Sequence, residues 1–438
     1  MGRSRFPVIV AAQRDERSAP VRYTARIRGA FLAVAFRSGS QIRATHPMPD
    51  PTRVKLSALT GLRFVAAMHV VLFHEAQWVF SDLATFVQTH GWFRLAAGDL
   101  AADKVSEWVR HLGASGMSSV SLFFVLSGFI LAYNYRETLG RNISIVEYYR
   151  LRFARIYPVY LVGLLLTLPF VVHRVRIGVE PIDDAARRGL LNIALAQSWY
   201  PPDALSWNGP GWSLSVEMFF YAIFPLALRH IILLPRQVVL LGSIIFCVVT
   251  QVGVSVGKIY LAEEIQTSQG LYSFFNYFPL LRLSEFFLGM AISHPASARI
   301  ERGEFFIFTS RRGPILAATT CILVLGWNAE GHASVARAVA LPLLFATLIY
   351  CLTLGGADSV LGTNRMVALG EASYALYIIH VPIGTYFHSV TRRLFGEPEM
   401  GRLVTVVYLA TVIAVSLVVM QRIEIPARKY LLRAFGGS

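Results

Sequence analysis

Charged residues are scarce in this sequence of 438 residues, since Asp, Glu, Lys and Arg together make up 15% of it. Soluble domains usually contain about 25% of such residues. Hydrophobic residues instead account for 55% of the chain, and the mean hydropathy is +0.51. This composition excludes a soluble enzyme and predicts an all-α polytopic membrane protein.

Cysteine is also rare, and its placement excludes two kinds of site. Cys247, Cys321 and Cys351 are the cysteines of the chain, and each lies in an apolar run without a C-x-x-C spacing. A lone cysteine in an apolar run is typical of a small core residue. We therefore expect neither a metal site nor a set of disulfides.

Acidic residues are outnumbered, which leaves a formal net charge of +15. Such a charge can indicate a nucleic-acid partner, but here the cations lie between apolar runs, where they determine membrane topology. We therefore expect no nucleic-acid partner. Residues 1–53 are rich in arginine and show no period, which predicts a disordered basic extension. They contain no signal-peptide pattern, and translation from either Met1 or Met48 stays open.

Apolar segments of spanning length fill residues 54–433, which we interpret as one membrane domain followed by a short tail, 434–438. We predict ten spans, at 57–77, 117–135, 153–173, 212–230, 237–255, 274–293, 314–329, 336–354, 367–390 and 403–421. The positive-inside rule then places both termini in the cytoplasm. The main exception is the third connection, which contains four arginines: Arg174, Arg176, Arg187 and Arg188.

The stretch LTGLRFVAAMHVVLFH, from Leu59 to His74, places ionisable residues inside an apolar helix. Arg63 and His74 are eleven residues apart, so they share one face of the helix and lie roughly 16 Å apart along its axis. Ionisable groups at membrane depth usually face a bundle interior or a wet cavity. We therefore expect both to face the same cavity. His69 lies about 240° round from Arg63 and is the weaker candidate.

Arg152 and Arg155 lie at i and i+3 in RLRFARIYPVY, at the start of the third span. Two interpretations stay open for this pair. The arginines are either a positive-inside anchor or a fork that binds phosphate through paired hydrogen bonds. Tyr157 and Pro158, which follow, predict an interfacial anchor and a local break in the helix.

The second and fourth spans contain further polar positions. Ser127 and Gly128 favour close helix packing, because small residues let two backbones approach. Trp212 follows a non-helical Gly-Pro-Gly and is typical of an aromatic belt at the membrane interface. Glu217 lies about one and a half turns into the fourth span. It is either a structural ion-pair partner or part of a site.

Two later spans also contain ionisable residues. Arg282 and Glu285 lie at i and i+3, a spacing that favours an internal salt bridge. In GEASYALYIIH, Tyr374 is a candidate for an aromatic belt or for packing. His380 requires hydrogen-bond partners if it is buried, and it is either structural or catalytic.

Taken together, these stretches resemble the acyltransferase-3 family of integral-membrane acyltransferases. The resemblance runs from Leu56 to the C-terminus and rests on the motifs LTGLRFVAAMHVVLFH, SLFFVLSGFIL, RFARIYPVY, GPGWSLSVEMFFY, RLSEFFLGM, LGEASYALYIIH and EIPAR. It implies a domain of ten membrane helices that transfers an acyl group, commonly acetyl from cytoplasmic acetyl-CoA, to a hydroxyl of a carbohydrate or related molecule. Members modify lipopolysaccharide, exopolysaccharides, peptidoglycan, nodulation factors and macrolides.

The resemblance also implies roles for individual residues. Arg63 and His74 match the arginine and histidine of the family's first helix, and Arg152 and Arg155 match its Arg-x-x-Arg element on the acyl-CoA side. Glu217 matches the family's acidic position. The candidates are then catalytic His74, Arg63, Glu217 and His380, acyl-CoA-binding Arg152 and Arg155, and supporting Ser127, Trp212, Ser373 and Tyr374.

The chemistry expected of this set is O-acyl transfer. A carbohydrate hydroxyl is a poor nucleophile, so the reaction needs a base beside the attacking oxygen and positive charge near the developing oxyanion. We expect His74 to be the base, since the guanidinium of Arg63 stays protonated and instead holds charge or attracts the CoA phosphates. A two-step route through an acylated histidine stays open.

The expected partners follow from the same resemblance. They are acyl-CoA as a co-substrate without a bound cofactor, a carbohydrate or glycolipid acceptor, and the lipid bilayer of a bacterial inner membrane. The sequence lacks the hydrolase-like extracytoplasmic domain that some members append, so we expect the membrane domain to complete the transfer by itself or with a separate extracytoplasmic partner. A transporter or flippase of polysaccharide intermediates is the alternative interpretation, followed by a receptor or scaffold.

Overall fold

The structure, a computed structural model, describes residues 56–75, 80, 83–85, 99–302, 312–355, 359–396 and 402–435. These residues form helices and turns and contain no β-strand, so the all-α prediction is confirmed. The predicted basic extension, residues 1–53, and the last residues of the predicted tail, 436–438, lie outside the described residues.

The helices follow the predicted apolar segments, with additional short helices between them. In chain order they are α1 Ser57–Glu75, α2 Asp99–Ala114, α3 Ser118–Tyr135, α4 Ile145–Arg176, α5 Ile182–Ile193, α6 Trp212–Ile231, α7 Arg236–Tyr260, α8 Ala262–Thr267, α9 Gln269–Tyr277, α10 Pro279–Arg302, α11 Arg312–Leu325, α12 His332–Gly355, α13 Asn364–Phe395, α14 Arg402–Val419 and α15 Ile425–Ala434.

Within the described residues, 8 helices are long and apolar enough to cross a membrane, which makes the chain a multi-pass membrane protein. They are α1, α3, α4, α6, α7, α12, α13 and the continuous pair α14 and α15. The predicted sixth and seventh spans fall outside this group. α10 contains charged residues, and α11 has 14 residues. The number of ten spans and the cytoplasmic location of both termini therefore stay predictions.

Helix α4 is longer than its sequence pattern predicts. It begins at Ile145 because the Ser144 hydroxyl accepts a hydrogen bond of 3.1 Å from the Glu147 backbone N–H, which caps the helix. It then continues through Pro158 and Pro169 to Arg176. The predicted break at Pro158 is therefore wrong. A proline removes one backbone hydrogen bond, and packing against neighbouring helices can hold a membrane helix together across that loss.

Glycines allow close approach at two helix pairs. A Cβ on Gly128 of α3 would overlap the Phe286 carbonyl of α10, and one on Gly370 of α13 would overlap the Thr60 carbonyl of α1. The prediction that Gly128 serves helix packing is confirmed. The contact between α1 and α13 has a consequence for function, because it brings together the helices that contain Arg63, His74 and His380.

The predicted internal salt bridge of α10 is present. Arg282 Nε and Glu285 Oε2 are 3.4 Å apart, and Arg282 also donates a hydrogen bond of 3.0 Å to the Ser121 hydroxyl of α3. The cysteines Cys247, Cys321 and Cys351 are buried and free, as a core role requires.

The connection between α4 and α6, residues 177–211, is held by buried carboxylates. Glu180 forms an ion pair with Arg174 at 3.0 Å and accepts a hydrogen bond from Arg188 at 2.7 Å. Arg188 Nε also donates to Asp203 at 3.0 Å. The side chains of Glu180 and Asp203 are 5% and 1% exposed, so each carboxylate depends on its arginine partners.

Arg187 completes this network. It forms ion pairs with the buried Asp203 and with the exposed Asp184, the latter at 3.1 Å. The hydrogen bond to Asp184 raises the pKa of Arg187, and the hydrogen bond to Glu180 raises the pKa of Arg188. Carboxylates of the same connection therefore neutralise these three arginines.

Candidate active site

A cavity of about 330 Å³ lies among α1, α3, α4, α6, α13 and α15. Most of the polar candidates predicted from the sequence line it. Its polar lining consists of Thr60, Arg63, Ser127, Asn134, Arg152, Arg155, Ser213, Glu217, Tyr221, Ser373, Tyr374, Tyr377 and Arg428. Tertiary structure therefore brings both candidate cation sets, from the first and third predicted spans, to one place.

Four arginines face this cavity, and three of them have no hydrogen-bonding partner. Arg63, Arg155 and Arg428 form no hydrogen bond or ion pair with any described residue. Arg152 Nη2 donates to the Tyr135 hydroxyl at 2.9 Å, and its guanidinium lies over that ring at 5.2 Å. Cations at membrane depth are normally paired, so this cluster is suited to binding an anionic ligand.

Glu217 is the acidic residue among the lining groups, and its carboxylate is already hydrogen-bonded. Its Oε1 atom accepts a hydrogen bond of 2.5 Å from the Tyr221 hydroxyl and one of 3.3 Å from the Ser127 hydroxyl. No ion pair joins Glu217 to an arginine in the part of the chain that the structure describes. The cavity therefore contains one carboxylate against four guanidinium groups.

The remaining supporting candidates have different environments. The Tyr374 hydroxyl donates to the Ile156 carbonyl of α4 at 2.6 Å, and the Ser373 hydroxyl donates to the Gly370 carbonyl at 2.7 Å. Both residues line the cavity. Trp212 does not line it, because its ring is buried between Phe124 and Tyr277. Its position is that of a packing residue rather than an interfacial belt residue.

His74 and His380 form a pair outside the cavity. His380 Nε2 lies 3.3 Å from His74 Nδ1. His74 Nδ1 is also 2.9 Å from the Val70 carbonyl, and His380 Nδ1 is 2.8 Å from the Tyr377 carbonyl. Since a carbonyl oxygen can accept but cannot donate, the network assigns the hydrogen to Nδ1 in both neutral imidazoles.

This assignment distinguishes the two histidines. In His380 both nitrogens are engaged, and the residue is 0% exposed. In His74 the Nε2 atom carries a free lone pair, forms no hydrogen bond with a described residue, and belongs to an exposed side chain. His74 can therefore accept a proton from a bound molecule, whereas His380 orients His74.

The expectation that Arg63 and His74 face one cavity is wrong. Arg63 lines the cavity, and His74 does not. Phe123 and Tyr377, whose ring centres are 5.9 Å apart, line the cavity, and the Tyr377 ring is 6.1 Å from the His380 ring. His74 instead contacts His380 of α13, with His380 Nε2 3.3 Å from His74 Nδ1.

His69 is engaged elsewhere. Its Nδ1 is 2.8 Å from the Ser119 hydroxyl, and its Nε2 is 2.9 Å from the Leu112 carbonyl. These bonds connect α1 to α2 and to the start of α3. They account for His69 as a packing residue, in agreement with its weaker ranking.

Sequence reasoning missed two features near the site. Arg428 belongs to the quoted EIPAR motif, but nothing in the pattern indicates that it reaches the cavity. Glu75 Oε2 accepts a hydrogen bond of 3.2 Å from His388 Nε2, and its carboxylate sits against Gly384. His380, Gly384 and His388 are spaced at i, i+4 and i+8 on α13, so they share one face of that helix. This spacing could have indicated the contact with Glu75 from the sequence.

Fold and cavity together define a multi-pass membrane protein with a cationic internal site. A model of the acyltransferase domain of the acyltransferase-3 family matches residues 56–421. The chain therefore belongs to the acyltransferase-3 family and is an acyltransferase, which transfers groups other than aminoacyl groups. This class supersedes the alternatives of a transporter, flippase, receptor or scaffold.

Two relatives show how far the similarity extends. Acyltransferase MdmB of Streptomyces mycarofaciens is 29% identical over 364 residues, which cover 80% of this chain and 83% of that protein. Protein 2 in picA locus of Rhizobium radiobacter is 35% identical over 125 residues, which cover 25% of this chain and 65% of that protein. No solved structure matches the chain.

Proposed function

We propose that this acyltransferase is an O-acetyltransferase of a bacterial inner membrane. It takes the acetyl group of cytoplasmic acetyl-CoA and transfers it to a hydroxyl of a carbohydrate, such as a cell-surface polysaccharide, an exopolysaccharide or their glycolipid intermediates. The observation that carries this proposal is the set of three cavity arginines, Arg63, Arg155 and Arg428, that form no hydrogen bond or ion pair with a described residue.

The charge of the cavity supports a polyphosphorylated donor. Among the groups that line the cavity, Arg63, Arg152, Arg155 and Arg428 are accompanied by one carboxylate, that of Glu217, whose Oε1 atom accepts from two hydroxyls. Unpaired guanidinium groups in a membrane domain are costly, and phosphate oxygens satisfy them through paired hydrogen bonds. The diphosphate and 3′-phosphate of CoA supply the matching negative charge. Arg152 and Arg155 then act as a phosphate fork rather than as a topology anchor.

The histidine pair supports the base. The acceptor hydroxyl attacks the thioester carbonyl carbon, its proton passes to Nε2 of His74, and the C–S bond breaks to release the CoA thiolate, which takes up a proton. Nε2 is the nitrogen of His74 that is free to accept. His380 holds the imidazole of His74 in the required tautomer. Transfer through an acetylated His74 uses the same lone pair.

The donor must reach from the arginines to His74. Arg63 and His74 are separated by roughly 16 Å along the axis of α1. The pantetheine arm of CoA is a long flexible chain that suits such a separation. Tyr377 lines the cavity and its ring is 6.1 Å from that of His380, so we expect the arm to pass beside Tyr377.

Replacement of His74 tests the proposal. Purified His74→Ala protein should transfer labelled acetyl from acetyl-CoA to polysaccharide-bearing membranes at least about 100-fold more slowly than the wild type, because a general base is lost. Its affinity for CoA should be unchanged, since His74 does not line the cavity. His230→Ala, at an exposed histidine outside the cavity, is the control. Full transfer by the His74 variant would refute the assignment of the base.

A further inference from the structure

Pro382 removes one of the backbone hydrogen bonds of α13 beside His380. The proline lies inside this helix, and it has no N–H to donate to the carbonyl four residues before it, which is that of Ile378. The turn from Ile378 to Pro382 contains His380. The backbone that carries His380 therefore lacks one of the bonds that fix a regular helix.

A side chain from another part of the chain replaces the missing donor. Asn208 Nδ2 donates a hydrogen bond of 2.9 Å to the Ile378 carbonyl. Asn208 is 1% exposed and belongs to the connection between α4 and α6, 170 residues away along the chain. Membrane helices tolerate prolines where neighbouring groups satisfy the freed carbonyl in this way.

The same arrangement occurs at a second proline. Pro225 lies inside α6 and leaves the Tyr221 carbonyl without its helical donor. That carbonyl accepts a hydrogen bond of 3.3 Å from the Tyr148 hydroxyl of α4. Tyr221 lines the cavity. At both prolines, the freed carbonyl is the point at which another element contacts a helix of the candidate site.

The turn around His380 has a further contact, from α14. The Tyr408 hydroxyl donates a hydrogen bond of 3.0 Å to the His380 carbonyl. The imidazole of His380 is in turn 2.8 Å from the Tyr377 carbonyl and 3.3 Å from Nδ1 of His74. The position of this imidazole, and hence its contact with His74, depends on a turn that side chains of two other elements hold.

The backbone beside Asn208 is strained. Trp207 has a φ of 57°, a left-handed conformation that a bulky residue rarely adopts. Its ring packs against α5, where a Cβ on Gly189 would overlap it. Such strain persists only where surrounding contacts enforce it, and it is concentrated at functional sites. The packing of Trp207 thus places the next residue, Asn208, against α13.

We propose that Asn208 is a positioning residue for acyl transfer. By bonding the Ile378 carbonyl that Pro382 leaves free, it fixes the turn that carries His380, and His380 in turn orients His74. This inference rests on the proposed function, since it explains what holds the base in place. Asn208 does not line the cavity, so its contribution belongs to the transfer step and not to donor binding.

Replacement of Asn208 by leucine retains the size of the side chain and removes the donor. With labelled acetyl-CoA and polysaccharide-bearing membranes, Asn208→Leu should lower kcat by about 10- to 100-fold, the range that a small displacement of a catalytic group can cost. The KM for acetyl-CoA should stay close to that of the wild type. Tyr386→Phe removes a bond of 3.1 Å from the same helix to the Leu166 carbonyl and, as the control, should retain kcat.

Restoration of the helical donor tests the assignment directly. Pro382→Ala gives residue 382 an N–H that can donate to the Ile378 carbonyl, so that this carbonyl no longer depends on Asn208. In the Pro382→Ala protein, Asn208→Leu should therefore lower kcat by less than about 3-fold, as a double-mutant cycle measures. An equal loss in both backgrounds would overturn the assignment, as would a higher KM with an unchanged kcat.

Amide hydrogen exchange of residues 376–384 gives a readout that needs no activity. In lipid nanodiscs, exchange should be faster in full-length Asn208→Leu than in the wild type, and Pro382→Ala should abolish the difference. Unchanged exchange in Asn208→Leu would overturn the assignment. A wild type without acetyl transfer would instead overturn the proposed function, whereas exchange would still show whether Asn208 holds the turn. If Asn208→Leu fails to insert, Asn208→Ala, which leaves room for a water at the carbonyl, replaces it in both measurements.

Discussion

Arginines occur in two polar regions of this protein, and their surroundings differ. In the connection between α4 and α6, Arg174, Arg187 and Arg188 each form an ion pair with a carboxylate of the same region. In the cavity, Arg63 and Arg155 have no hydrogen bond or ion pair with a described residue. In the described chain, the arginines of the connection are paired with carboxylates of the same region, whereas these two arginines of the cavity are not.

This difference distinguishes arginines that stabilise the fold from arginines that are available to bind a ligand. A buried carboxylate such as Asp203 depends on its arginines, and removing one partner leaves the other without compensation. In the cavity, the lining carboxylate Glu217 accepts hydrogen bonds from Tyr221 and Ser127 and forms no ion pair with an arginine of the described chain, so the arginines can pair with an anionic ligand. Substitutions in the connection should therefore change stability, and those in the cavity should change donor affinity.

The largest effect is expected from Asp203→Ala. The side chain is 1% exposed and pairs with Arg187 and Arg188, so its loss should lower the stability of the folded chain by about 3 kcal/mol. The measurement is the melting temperature of the purified protein. Asp184→Ala, at an exposed ion pair of 3.1 Å, should cost at most about 1 kcal/mol. Equal melting temperatures for the two variants would contradict a structural role for the buried network.

The next effect is expected from the double substitution Arg152→Lys and Arg155→Lys. Lysine retains the charge and the topology signal but cannot form paired bonds to phosphate. CoA affinity should fall by about 10- to 100-fold in titration calorimetry, with little change in melting temperature. Arg174→Lys, in the same helix but paired with Glu180, is the control and should retain the affinity. Unchanged affinity in the double variant would return the pair to the role of a topology anchor.

The smallest effect is expected from Glu217→Gln. The amide oxygen can still accept from Tyr221 and Ser127, but the negative charge that opposes the donor phosphates is removed. CoA should bind a few-fold more tightly at low salt, and the gain should shrink at high salt because of screening. Weaker CoA binding by this variant would mean that the carboxylate holds the arginines in position. The charges of the cavity would then have a structural role, as those of the connection do.

The histidines show how far sequence reasoning extends. Helical spacing predicts that Arg63 and His74 face one cavity and that His69 points elsewhere; the first prediction is wrong and the second is confirmed. Spacing along one helix does not predict that His74 pairs with His380 while Arg63 lines the cavity. A periodic pattern describes one helix face, whereas the contents of the space in front of it depend on other helices.

The same limit applies to the ends of elements. Apolar runs locate the membrane helices, but α4 begins eight residues before its predicted start, at Ile145 rather than at 153. The serine cap accounts for the earlier start, and two prolines are tolerated inside the helix. Local propensity predicts a break at Pro158, and packing in the bundle overrides it.

The sequence by itself determined that the chain is an all-α membrane protein, which residue types could bind an anion, and to which family the motifs belong. These properties depend on composition, periodicity and short motifs. Tertiary structure decided which arginines have no partner among the described residues, which histidine has a nitrogen without a hydrogen bond to a described residue, and that Arg428 from the last described helix joins the cavity. The reason is physical: hydrogen-bond satisfaction is a property of groups brought together from distant parts of the chain, and no local pattern records it.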